Sequence, residues 1–157
     1  MSELPVPDDS VSGNRLMTFE VGGNVYGLPI SEILEVVEQS GFSCVPTLPR
    51  ELGGVMNWHG EALPVVAPHL LLGGSPVVAR ESGTPQQFLV VTDGLDVVAQ
   101  LGLPIDFVSG LVDGEPGRAR GDDVVVERRT VDDRVVSVIN PQRLVVRAAK
   151  IIEGAVA

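Results

Sequence analysis

The sequence predicts a mostly β protein, on three observations: its apolar composition, its turn residues and the grouping of its strands. Hydrophobic residues make up 44% of the 157 residues but aromatic residues only 4%, so a core must be built mainly from aliphatic side chains. Valine is prominent among these, and 18 glycines and 12 prolines interrupt the Val-rich segments, as is typical of β-sandwiches and barrels. The segments form two groups joined by a polar connection over residues 75–86, which predicts two barrel-like lobes.

The predicted strands share runs or alternations of apolar residues bounded by Gly, Pro, Asn or Asp. They are residues 15–21, 25–28, 42–46, 54–58, 61–66, 88–92, 97–103, 104–111, 124–129 and 135–139. Four short turns join strands into antiparallel hairpins. The turns consist of residues that tolerate positive φ or of similar polar pairs. Those turns are 22–24, 59–60, 93–94 and 132–133.

Three helices are predicted between and after these strands. Ser31 is placed to cap a short helix over 31–39, with an apolar stripe at helical spacing. A second short helix is predicted over 68–72, before a glycine pair that would stop it. Asn140 and a following proline open a C-terminal helix over 141–152. Residues 1–14 have no periodicity and are predicted to be a flexible tail, so that 15–157 form a single domain.

The charge of the chain restricts its partners. Eleven Lys and Arg against 21 Asp and Glu give a net charge of −10, which repels nucleic-acid phosphates and anionic membrane surfaces. No segment approaches the length of a transmembrane helix, and residues 1–14 do not resemble a signal peptide. The single cysteine, Cys44, cannot form an internal disulfide. We therefore expect a cytoplasmic protein that binds no nucleic acid and inserts into no membrane.

The sequence lacks a recognisable catalytic pattern. His59 and His69 are ten residues apart without further ligands at metal-site spacing, and no Gly-x-Ser-x-Gly or phosphate-binding loop is present. The acidic pairs 122–123 and 132–133 are better explained as solvated turns than as a calcium site. The expectation is a binding module that is not an enzyme and holds no cofactor or metal.

Three segments in order resemble CheW-like domains. The first is FEVGGNVYGLPI over residues 19–30, followed by ILEVV over 33–37. The second runs from VPTLP at 45–49 through GGVMNWHG at 53–60 to LPVV. The third is VAQLGLPIDFV over 98–108. Each segment alone is a weak indication, but three in this order are specific.

This resemblance implies a fold and a role. The fold is two intertwined, SH3-like, five-stranded β-barrels, with lobes of approximately 15–74 and 86–140 followed by the C-terminal helix. The role is an adaptor that couples the cytoplasmic tip of a methyl-accepting chemoreceptor to the regulatory domain of a CheA-type histidine kinase. Two positions depart from the family pattern: His59 replaces the usual arginine, and residues 67–69 replace the usual Asp-Leu-Arg.

Six residues are predicted to contact these partners. They are Ile33 and Glu35 on the first predicted helix, Asn57 and His59 at a turn, and Val108 and Leu111 in the second lobe. For the three apolar residues the competing interpretation is core packing, for Glu35 a solvated helix face, and for Asn57 a bond to its own turn. The alternative function is a small-molecule or ion sensor that uses the inter-lobe cleft and the Asp-rich loops.

Overall fold

The chain forms two five-stranded sheets in a computed structural model that describes residues 15–39, 53–73, 85–92, 98–113 and 123–156. The first sheet contains, in spatial order, Phe107–Asp113 (β8), Arg15–Val21 (β1), Asn24–Pro29 (β2), Arg134–Ile139 (β10) and Val125–Val131 (β9). The second contains, in spatial order, Ile33–Gln39 (β3), Gln86–Val91 (β6), Leu101–Ile105 (β7), Glu61–Val66 (β5) and Gly53–Trp58 (β4). The predicted mostly β fold is confirmed.

Each sheet draws strands from both halves of the sequence. The second sheet is built from β3 to β7, and the first combines the N-terminal β1 and β2 with the C-terminal β8 to β10. The two halves of the first sheet meet where β10 lies parallel to β2. Each sheet takes strands from both of the predicted lobe segments, 15–74 and 86–140, and the division into these lobes stays a prediction. The division of the chain into a tail and a single domain stays a prediction.

The helix predicted over 31–39 is wrong. Only Ile30–Glu32 forms a 3-10 turn, and the segment continues as β3, which pairs antiparallel with β6. Apolar residues three and four positions apart suit a helix, but Val36 and Val37 are β-branched and favour an extended chain. Their pairing with β6, which the local spacing does not reveal, decides for the strand. Ile33 and Glu35 consequently lie on an edge strand and not on a helix.

Two further strands are displaced from their predicted positions. The segment predicted over 104–111 is the strand β8, Phe107–Asp113. The segment predicted over 97–103 is the strand β7, Leu101–Ile105, which pairs antiparallel with β6. The turn predicted at 93–94 lies outside the described residues. So do the predicted tail, the strand over 42–46 with Cys44, and most of the polar segments over 75–86 and 113–123.

Other turn-based predictions are confirmed. The turns at 22–24, 59–60 and 132–133 join β1 to β2, β4 to β5, and β9 to β10. A short helix forms over Pro68–Leu72 (α1), and a longer one over Pro141–Val156 (α2). Asn140 caps α2, because its Oδ1 accepts a hydrogen bond from the backbone N–H of Arg143 at 3.1 Å.

The largest core lies between the two sheets. Phe19, Tyr26 and Leu28 from the first sheet meet Leu89 and Leu103 from the second, and α1 and α2 close this shared core with further buried side chains. A smaller core fills the inside of the second sheet. It consists of Met56, Leu63, Val65, Phe88 and Val90. The sheets are therefore joined by a common apolar layer.

Candidate functional site

Three side chains join the two edges of the second sheet, because β3 and β4 are its outer strands. The indole Nε1 of Trp58 donates a hydrogen bond to Oε1 of Glu35 at 2.8 Å. The Nε2 atom of His59 lies 3.0 Å from the same oxygen. The imidazole ring also packs edge-on against the indole, with ring centroids 4.7 Å apart. We call Glu35, Trp58 and His59 the seam cluster.

The turn after β4 positions the imidazole. His59 and Gly60 both have positive φ, 50° and 83°, as a tight two-residue hairpin turn requires. The side-chain Oδ1 of Asn57 accepts a hydrogen bond from the Gly60 N–H at 3.0 Å. Gln39 at the end of β3 donates a side-chain hydrogen bond to the Asn57 carbonyl. Asn57 therefore builds the turn that presents His59, and the same turn is attached to β3.

The seam cluster holds a negative charge at the surface. The hydrogen bond from Trp58, and secondly the contact with His59, lower the pKa of Glu35 below the usual glutamate value. The Glu35 side chain remains 44% exposed and that of His59 67% exposed, so both can reach a partner. The arrangement is an oriented carboxylate beside an exposed imidazole ring.

We expect Trp58→Phe to raise the pKa of Glu35 towards the ordinary value, because phenylalanine keeps an aromatic ring but cannot donate a hydrogen bond. A carboxylate whose pKa is lowered in the folded state stabilises the fold at pH values above its ordinary pKa. This stabilisation is lost as the pH falls through the lowered pKa. NMR titration of the Glu35 side-chain carboxyl signal, assigned with Glu35→Gln, measures the change. The same pKa of Glu35 in Trp58→Phe and in the unsubstituted protein would contradict the hydrogen bond from Trp58 to Glu35.

The structure separates the other predicted contact residues. Ile33 at the start of β3 and Val108 on β8 are partly buried and pack against the shared core. Leu111 is half exposed on β8, an edge strand of the first sheet, where Phe107 is 47% exposed. Phe107 was missed from the sequence, although the alternating exposure of an edge strand offers a signal. Trp58 was also missed, since nothing local in the sequence links it to Glu35.

A metal centre finds no support in the described ranges. No group of three or more His, Cys, Asp or Glu side chains within them is arranged to hold a metal ion. The described helices also include none that is long and apolar enough to cross a membrane.

The sequence is similar to those of known proteins. The sequence model of the CheW-like domain family matches residues 15–149. The chain is 30% identical over 84 residues to the chemotaxis protein CheW of Helicobacter pylori, covering 54% of this chain and 49% of that protein. It is 29% identical over 108 residues to the protein PilI of Pseudomonas aeruginosa, covering 69% of this chain and 57% of that one. The chain thus spans about half the length of the curated relatives it matches.

A solved structure has the same architecture. The crystal structure of the scaffolding protein TtCheW from Thermoanaerobacter tengcongensis superposes with a TM-score of 0.63 at 20% sequence identity. The match covers 84% of this chain and 92% of the other. At this identity the likeness establishes the fold, and the two intertwined sheets described above are that fold.

Proposed function

Because this chain belongs to the CheW-like domain family, we propose that it is a non-catalytic adaptor that couples methyl-accepting chemoreceptors to a CheA-type histidine kinase. The family consists of scaffold and adaptor proteins. The similarity to PilI as well as to CheW favours a chemotaxis-like signalling system. The observation that carries the proposal is the family match over residues 15–149, and the proposed location is the cytoplasm.

Two exposed edges support a role in binding other proteins. On β8, an outer strand, the large apolar side chains of Phe107 and Leu111 are about half exposed. An edge strand also presents backbone groups to a partner. On the second sheet, the seam cluster adds the oriented carboxylate of Glu35 beside His59. A kinase regulatory domain is proposed to contact these edges.

The proposed receptor contact uses two apolar side chains, Ile33 and Val108. Ile33 and Val108 come from different sheets, are partly exposed and pack against the shared core. A helical receptor tip is proposed to lay its apolar face on these two side chains. Asn57 acts in this proposal through the turn that presents His59, and not by direct contact.

We expect Leu111→Glu to weaken binding to the kinase regulatory domain by about tenfold, because a charge would be buried at an apolar contact. The matched control is Val146→Glu on α2, since Val146 is 52% exposed and Leu111 50%. Calorimetric titration of both variants with the kinase domain and with a receptor-tip fragment measures the effect. Equal affinities for the two variants would contradict the assignment of β8, and no binding by the unsubstituted protein would overturn the proposed function.

A further inference from the structure

A cleft of about 560 Å³ lies between the first sheet and the end of α1. Strands β2, β9 and β10 form one side, and Leu72 and Gly73 form the other. This volume is in the range of small-molecule sites. Of the described residues in the seam cluster and β8, none lines the cleft, so it is separate from the proposed protein contacts.

The strand register places three polar side chains in one row at this cleft. Arg128 on β9 is paired with Ser137 on β10, and Ser137 is paired with Tyr26 on β2. Residues paired across neighbouring strands project from the same face of a sheet. All three line the cleft, and Asn24, another lining residue, forms a side-chain hydrogen bond with Tyr26.

Arg128 is the charged member of this row. Its neighbour Arg129 forms an ion pair with Glu127 at 2.9 Å, and Arg134 at the same cleft pairs with Glu20 at 3.0 Å. Within the described parts of the chain, Arg128 has no carboxylate at ion-pair distance. Such an arginine stands out in a chain with a net charge of −10.

The positive charge of Arg128 acts on the buried hydroxyl of Tyr26. Burial raises the pKa of the Tyr26 hydroxyl, while the hydrogen bond with Asn24 and the positive charge of Arg128 oppose that rise. Tyrosine is neutral at ordinary pH, so it cannot balance the guanidinium. An anion in the cleft would balance the positive charge of Arg128 and accept hydrogen bonds from its guanidinium in a bidentate geometry.

We infer that this cleft binds a small organic monocarboxylate with an apolar body. The carboxylate would pair with Arg128 and accept a hydrogen bond from Ser137, and the apolar part would lie against Val135 and Leu72. Asp133 also lines the cleft, so a dianion such as phosphate would meet more repulsion there than a monocarboxylate. The inference does not depend on the proposed adaptor role.

Benzoate and hexanoate test this inference on the full chain, with benzamide as the neutral twin of benzoate. We expect saturable binding of at least one acid by calorimetry, with shifts of the ring NMR signals of Tyr26, the only tyrosine in the sequence. Benzamide should bind about tenfold more weakly, because it cannot form the charge-assisted pair.

Arg128→Gln should weaken binding of the acid by about tenfold, while Arg129→Gln on the same strand should leave it unchanged. Circular dichroism of both variants checks that the fold is retained. Equal binding of benzoate and benzamide, or the same affinity in Arg128→Gln as in Arg129→Gln, would overturn the inference. So would the absence of saturable binding by both acids in the millimolar range.

Discussion

Gly53→Ala is expected to destabilise the fold by about 4 kcal/mol or more, which is outside the usual range for a single substitution. Gly53 has a φ of +152°, and a Cβ atom on it would lie 1.8 Å from the carbonyl oxygen of Val65. Backbone must then move on β4 or β5. Val65 also forms the register pair with Gly102 through which β5 joins β7, so a shift there would disturb the link between the β4–β5 hairpin and the rest of its sheet.

Urea denaturation of Gly53→Ala beside Gly60→Ala measures this effect. Gly60 also has a positive φ, +83°, but a Cβ there would meet nothing within 4 Å. In this control the only expected cost is that of placing an alanine at positive φ, about 1 kcal/mol. Similar unfolding free energies for the two variants would mean that Gly53 is not needed for the close approach of β4 to Val65.

Tyr26→Ala is expected to lower the free energy of unfolding by about 3 kcal/mol, as is common when a large buried aromatic residue is truncated. Tyr26 is only 6% exposed in the shared core. Its ring stacks on Phe19 with centroids 5.9 Å apart, so the truncation removes an aromatic pair as well as buried area.

Tyr26→Phe is the matched control for this prediction. It keeps the ring and its stacking on Phe19 and removes only the hydroxyl that bonds with Asn24, so we expect a loss of about 1 kcal/mol. Chemical denaturation of both variants gives the comparison. An unchanged denaturation midpoint in Tyr26→Ala would show that the ring contributes little to the shared core.

The candidate site was predictable only in part. His59 was predicted as a contact at a tight turn, and the structure places it at such a turn. For Asn57 the structure contains the competing feature, a hydrogen bond from its side chain to its own turn. The contact between Glu35 and Trp58 was not predicted, because the residues are 23 positions apart and on strands at opposite edges of one sheet. The position of Arg128 was missed for the same reason, since its row spans three strands.

Local chemistry in the sequence determined the mostly β class, three described hairpin turns and the start of the C-terminal helix. Glycines, the Asp132 and Asp133 pair and the Asn140 cap act within a few residues, so their effects can be predicted without the rest of the chain. Tertiary structure alone decided between helix and strand for β3, because the spacing of Ile33 and Val36 allows both and pairing with β6 selects one. It also decided which strands share a sheet, because that choice depends on how distant segments bury their apolar faces together.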